Sequence, residues 1–188
     1  MTDRYYGGLL FFMGTCMKLT EADYYAKDGV LNNKDGFAFS VIKKLTLTDK
    51  KLQESLFADF SAKELVLIEF PVSFACVDAE NFDEAFLADL RSALKQLEQN
   101  GKTVIFSATG SVAGAEQSDV FYHIARRIKD CTSVAGLYFL AGITKEAAVT
   151  IITALQKKHP EYVYFTAEKE LYDSLNKDYA GRIAFASI

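Results

Sequence analysis

From Thr46 onward, short apolar runs alternate with longer stretches whose apolar residues recur every three or four positions, the spacing of strands and amphipathic helices in turn. Thr48 precedes a stripe of Leu52, Leu56, Phe57 and Phe60, which predicts a capped helix. Leu65–Phe70 is a strand with one carboxylate, Glu69, inside its apolar run. Asn81 with Glu84 makes a cap pattern for a helix burying Phe82, Phe86, Leu90, Leu94 and Leu97, and Asn100-Gly101 ends it. Strand Thr103–Ala108 follows, then the loop Thr109–Ala115. A helix over about 118–130 buries Val120, Phe121, Ile124 and Ile128. Strand Val134–Leu140 leads to a helix capped near Thr144, with Ala148, Ile151, Ile152 and Leu155 on its face, stopped by His159-Pro160. Strand Tyr162–Thr166, a short helix with Leu171 and Leu175, and strand Arg182–Ser187 complete the series.

The first 46 residues carry weaker periodicity. Gly8–Met13 suits a buried strand, Leu19–Ala26 a helical turn, and Phe37–Ile42 another strand. Lys27–Gly36, KDGVLNNKDG, is dense in turn residues and is expected as an exposed loop.

Repeated βα units with crossovers long enough for parallel pairing define an α/β fold with a mainly parallel sheet and right-handed crossovers. Nothing divides the chain, so residues 1–188 are expected as one domain. Two architectures fit: a TIM-barrel-like or incomplete barrel, and an open three-layer α/β/α sheet. The alternation within strands bears on the choice. Val66, Ile68 and Phe70 oppose Leu65, Leu67 and Glu69; Val104, Phe106 and Ala108 oppose Thr103, Ile105, Ser107 and Thr109. Tyr138 lies opposite Leu137 and Phe139, and Val163, Phe165 and Ala167 oppose Tyr162, Tyr164, Thr166 and Glu168. In a barrel the apolar faces would lie under helices and the mixed faces in the lumen, turning polar at the C-terminal strand ends where sites gather. About six or seven strands are legible, short of a full barrel.

Composition adds limits. The chain is 50% apolar and 24% charged with net charge −4, which offers no basic footprint for nucleic acid or an anionic membrane surface. Three widely spaced cysteines, Cys16, Cys76 and Cys131, read as reduced thiols, and no apolar run is long enough to span a membrane, so a cytoplasmic protein is expected. The minor alternative is a lipoprotein attached through Cys16 at the end of GGLLFFMGTC. The weakly basic flank, with Arg4 beside Asp3, and Thr15 before the cysteine count against it. Oligomeric state is not encoded in these patterns.

Glu69 is the first candidate for chemistry, since a carboxylate amid apolar residues must be paired, protonated or facing a wet cavity. Glu168, just past another strand, is its candidate partner in the two-carboxylate layout of glycoside hydrolysis. Each also has a structural reading, Glu69 as the partner of Arg91, Arg126 or Arg182, and Glu168 as a helix-start acid. Ser107, Thr109, Tyr138 and Tyr164 would line a tyrosine-bearing, weakly acidic cleft suited to a carbohydrate or small polyol, with a structural or interaction protein without chemistry as an alternative. His123 and His159 read as structural, and no spacing suggests a metal site or a cofactor. The rival site is the loop Thr109–Glu116, where Gly110 and Gly114 precede a helix and could hold a phosphate or nucleotide. Glu116 places a negative charge there, and no P-loop lysine is present.

Three segments taken in order resemble the cellulase-like family 5 glycoside hydrolases, which are (β/α)8 barrels. They are Phe70-Pro71-Val72-Ser73, Gln99-Asn100-Gly101-Lys102-Thr103-Val104-Ile105, and Ile124–Asp130 before Val134-Ala135-Gly136-Leu137-Tyr138. The resemblance implies a barrel relative that binds carbohydrate. The family's second-strand arginine would fall at Glu69, its histidine near Ala108 or Thr109, and its Asn-Glu-Pro at Leu140-Ala141-Gly142. Its nucleophile strand would fall beyond the chain. No functional residue carries over, which implies a shortened relative without that machinery or with a rebuilt site.

Overall fold

The computed structural model describes residues 23–52, 54–62 and 64–186. Three short antiparallel strands come first: β1 (Tyr24–Lys27), β2 (Val30–Asn33) and β3 (Ala38–Phe39). Six parallel strands follow: β4 (Ile42–Thr46), β5 (Leu65–Pro71), β6 (Thr103–Thr109), β7 (Val134–Tyr138), β8 (Val163–Thr166) and β9 (Ile183–Phe185). Between them run α1 (Val72–Ala75), α2 (Glu84–Gln99), α3 (Gln117–Arg127), α4 (Lys145–Gln156) and α5 (Lys169–Asp178).

The six strands neighbour one another in chain order, β4-β5-β6-β7-β8-β9, all parallel. A doubly wound sheet would reverse that order at a switch point and carry helices on both faces. Here Leu90 and Leu94 of α2, Ile124 of α3, Ile151 of α4 and Leu175 of α5 all join one core with Val66, Ile68, Val104 and Phe106. The helices therefore share one face, which is the barrel arrangement, and the open three-layer alternative is set aside. The other, inner face gives a second core, Leu65, Leu67, Ile105, Ala135, Val163, Phe165 and Ala184. It is closed by Ala26, Leu31 and Phe39 of the small antiparallel sheet. Fully burying a residue such as Leu31 contributes about 1.5–3 kcal/mol, so this cover is a substantial part of the fold.

The cover corrects the reading of the N-terminal third. Lys27–Gly36 is not one exposed loop. Asp28 (φ 53°) and Gly29 (φ 79°) form a two-residue hairpin turn, the left-handed pair that Asp-Gly favours. Lys34–Gly36 is a second turn, and the strand between them buries Leu31. The described part of Leu19–Ala26 is strand rather than helical turn, Phe37–Ile42 splits between β3 and β4, and Gly8–Met13 lies outside the described residues. The helix expected after Thr48 is only a 3₁₀ turn, Glu54–Phe57. The cap of α2 is Asp83, which accepts from the Phe86 amide at 2.9 Å, while the Asn81 amide is bound to Asp78.

Register on β7 decides which of its side chains face inward. Val104 pairs with Val134 but Ile105 pairs with Gly136, so an irregularity at Ala135 resets the alternation. Ala135 and Tyr138 consequently both face the inner core although they are three residues apart.

On β8 the expected faces are reversed. Val163 and Phe165 point inward against the antiparallel cover, and Tyr162 and Tyr164 lie under the helices. The cover is apolar and selects apolar partners, whereas a wet lumen would have selected the tyrosines.

Candidate functional site at the C-terminal strand ends

At the C-terminal ends of β5, β6 and β7 the inner face changes from apolar to polar. Glu69 follows Leu65 and Leu67 on that face and is paired in register with Ser107 on β6 and Thr46 on β4. It is 8% exposed, and Lys44 Nζ stands 2.9 Å from its Oε1. Ile42 joins the inner core, so strand alternation brings Lys44, two residues on, to the same side. The arginines considered as partners are engaged otherwise where their bonds are defined: Arg91 with Asp130, and Arg182 with the Tyr24 and Glu161 carbonyls.

Ser107, one step along the ladder, is 1% exposed, and its Oγ has no hydrogen-bond partner among the described residues. The residue belongs to the lining of a cavity of about 250 Å³, together with Gly110, Gln117, Tyr138 and Leu140–Ile143. The Tyr138 hydroxyl donates to the Ala186 carbonyl at 3.3 Å. Burial, and then the charges of Glu69 and Glu168, push the Tyr138 phenol above its ordinary pKa, so it stays a donor at neutral pH. Both carboxylates therefore act on one hydroxyl at this end of the sheet.

Glu168 occupies the N-cap position of α5 without capping it. Its Oε1 instead accepts the Gly142 amide at 2.6 Å, and its own amide donates to Thr166 Oγ1 at 3.1 Å. The carboxylate thus ties the loop after β7, which forms part of the cavity wall, to the start of α5.

The sequence-level candidates divide clearly. Glu69 and Ser107 are register partners on the inner face, Ser107 and Tyr138 line the cavity, and Glu168, in the loop before α5, stands close enough to act on the Tyr138 phenol. Thr109 is half-buried at the end of β6, opposite Pro71, and does not line the cavity. Tyr164 is a correction: it is fully buried on the helix side, its ring stacked on Phe139 at 5.9 Å and 11°. Burial drives its hydroxyl pKa upward. Sequence reasoning missed Lys44, the Gly142 amide and the wall residue Gln117. Only Lys44 was findable, from its alternation with Ile42.

Among the described residues, no three histidine, cysteine, aspartate or glutamate side chains group as metal ligands, and no helix is long and apolar enough to cross a membrane. His159 is buried, stacked on Tyr162 at 4.4 Å, with Nδ1 3.1 Å from Glu161, away from the site. Cys76 and Cys131 are buried free thiols, and burial raises Cys131 to about 11.

No protein-family model matches the sequence, and no curated protein matches it. Solved structures do resemble the fold. The catalytic domain of the major endoglucanase from Xanthomonas campestris pv. campestris aligns over 76% of this chain and 56% of its own, with TM-score 0.53 and 14% identity. An endocellulase from Pyrococcus horikoshii, solved with cellotetraose, aligns over 86% of this chain and 67% of its own, with TM-score 0.54 and 10% identity. The exo-beta-1,4-mannosidase Op5Man5 from Opitutaceae bacterium strain TAV5 aligns over 75% of this chain and 34% of its own, with TM-score 0.51 and 12% identity. The chain thus spans one third to two thirds of the length of these enzymes. At such identities the likeness is one of fold alone: the described residues share the barrel-type arrangement of parallel strands and helices of those enzymes.

Proposed function

We propose that this chain binds a neutral sugar or small polyol in the cavity between Ser107 and Tyr138, and that it does so without cleaving a glycosidic bond. The observation that carries the reading is the buried Ser107 hydroxyl, which has no partner among the described residues and belongs to a residue lining the cavity. Leaving such a group unsatisfied costs about 1–3 kcal/mol, which a ligand hydroxyl would recover. Tyr138, whose hydroxyl donates to the Ala186 carbonyl and can still accept, lines the same cavity. The nearby carboxylates suit hydroxyl donors and repel anions. A cavity of about 250 Å³ is small for a drug-sized ligand and suits a single ring or a short polyol.

Two features weigh against hydrolysis. Lys44 occupies one oxygen of Glu69, and the Gly142 amide occupies one oxygen of Glu168, so each candidate catalytic carboxylate has a structural task. The phosphate reading of Gly110–Gly114 is weaker, because Glu116 is the N-cap residue of α3 and Asp119 lies in its first turn, where a phosphate would meet like charge.

The test is a thermal-shift panel of monosaccharides and polyols against nucleotides, paired with a glycosidase assay on aryl glycosides. Stabilisation by a sugar or polyol, lost in Ser107→Ala, with no hydrolysis, is expected. Stabilisation by nucleotides alone, or turnover abolished by Glu69→Gln, would replace this reading.

A further inference from the structure

A second and larger cavity, about 530 Å³, lies at the opposite end of the strands. Thr103 opens β6 and Ser133 immediately precedes β7, so both belong to the N-terminal strand ends, away from Ser107. Its volume falls within the range of small-molecule sites.

One wall is a row of three rings from the antiparallel cover. Phe37 meets Phe39 edge-on with centroids 5.1 Å apart and planes at 84°, and Tyr24 lies 6.5 Å beyond, tilted by 53°. Phe37 is 39% exposed and belongs to the lining, so its ring offers apolar surface there. Thr103, Thr132 and Ser133 make another part of the lining polar. The Tyr24 hydroxyl stands 3.3 Å from Thr103 Oγ1 and 3.4 Å from the Thr132 carbonyl, and each hydroxyl can still take a further hydrogen bond.

Charge narrows the ligand class. Lys102, the one cation of the described lining, has its ammonium donating to the Phe57 carbonyl at 2.5 Å. Glu98 is engaged by Lys95 at 3.2 Å and by the Thr132 amide at 2.7 Å, and Asp35 stands on the rim. The acidic rim disfavours phosphates and carboxylates, and the ring wall disfavours compounds lacking an apolar face.

We propose that this basal cavity is a second ligand site, taking an uncharged ring compound that lays an apolar face on Phe37 and turns a hydrogen-bonding edge to Tyr24 and Thr103. Two sources present that chemistry, a pyranose sugar and a nucleoside. The site does not depend on the Ser107 cavity.

The experiment is an amide-resolved NMR titration of the whole chain with methyl β-glucoside in one arm and adenosine in the other, each to on the order of 10 mM, the range for single-ring ligands. Saturable shifts at the amides of Phe37, Thr103 and Thr132 with at least one probe are expected, and the responding arm identifies the source. Phe37→Leu keeps apolar bulk but removes the ring, and it should weaken that binding about fivefold, while Ser107→Ala leaves it unchanged. Thr103→Val, which keeps the shape and removes the hydroxyl, should weaken it as well. Absence of saturable shifts at these amides with both probes would overturn the proposal, as would equal affinity in Phe37→Leu and Thr103→Val. Shifts confined to Ser107, Tyr138 and Gly142 would sustain the upper site and overturn this one.

Discussion

Replacing Gly136 by alanine tests the link between backbone packing and the site. Gly136 sits on β7, paired with Ile105 on one side and Val163 on the other, at the irregularity that turns Tyr138 inward. A Cβ added there would stand 2.7 Å from the Val163 carbonyl carbon and 2.9 Å from its nitrogen, and closer still to its carbonyl oxygen. Ordinary contacts begin near 3.4 Å, and the obstacle is backbone, which cannot rotate away. Strand β8 would have to move by well over an ångström, loosening the pairs Gly136–Val163, Leu137–Tyr164 and Tyr138–Phe165 at about 1 kcal/mol for each hydrogen bond lost. Strain adds to this, so Gly136→Ala should cost about 3 kcal/mol or more. For a chain of this size that lowers Tm by about 6–12 °C. Urea unfolding followed by circular dichroism, with thermal scans alongside, measures both. A loss under about 1 kcal/mol would refute the close approach of β7 and β8 and with it the inward placement of Tyr138.

The remaining predictions concern the site and its surroundings. Lys44→Met should destabilise by about 1 kcal/mol, since it strands a nearly buried carboxylate but breaks a pair whose lysine is 42% exposed. A double-mutant cycle with Glu69→Gln in urea should return most of that loss as coupling. Ser107→Ala should be neutral or stabilising by up to about 1 kcal/mol while abolishing the sugar-induced thermal shift, because it removes a hydroxyl with no partner among the described residues. Stability should also fall on acidification through His123, whose imidazole stacks on Phe82 at 3.6 Å. Burial holds it below the ordinary histidine range, against the opposing pull of Glu84. Its contribution is full above the ordinary value and is lost as pH falls through the lowered one. Arg127 likewise holds Glu84 below the ordinary carboxylate range, and that contribution disappears at lower pH still. His123→Phe keeps the stack and should flatten the Tm-versus-pH curve between about pH 7 and 5.

What the sequence made legible is what periodicity encodes. The strands β5, β6 and β8 and the helices α2 to α5 follow from alternation and amphipathic spacing, and so does the inward face of Glu69 and Ser107. Periodicity does not say what covers a face. A polar lumen would give the inner face of β8 to Tyr164, and the antiparallel cover makes that face apolar instead. The cover is hard to read because its turns, Asp28-Gly29 and Lys34–Gly36, lie so close together that they resemble one loop. Glu168 is legible as an acid near the site, but its bond to Gly142 depends on two loops meeting in space, which local sequence does not encode. The family resemblance pointed to the barrel, and the structural likeness bears that out for the fold.

The central proposal is that Ser107 and Tyr138 form a polyol site on this barrel-type fold, and a crystal structure soaked with a stabilising monosaccharide tests it most directly. The predicted result is ligand density in the cavity with a ligand oxygen about 2.8 Å from Ser107 Oγ. A cavity holding only water at saturating sugar, or a sugar bound elsewhere with Ser107 untouched, would contradict it.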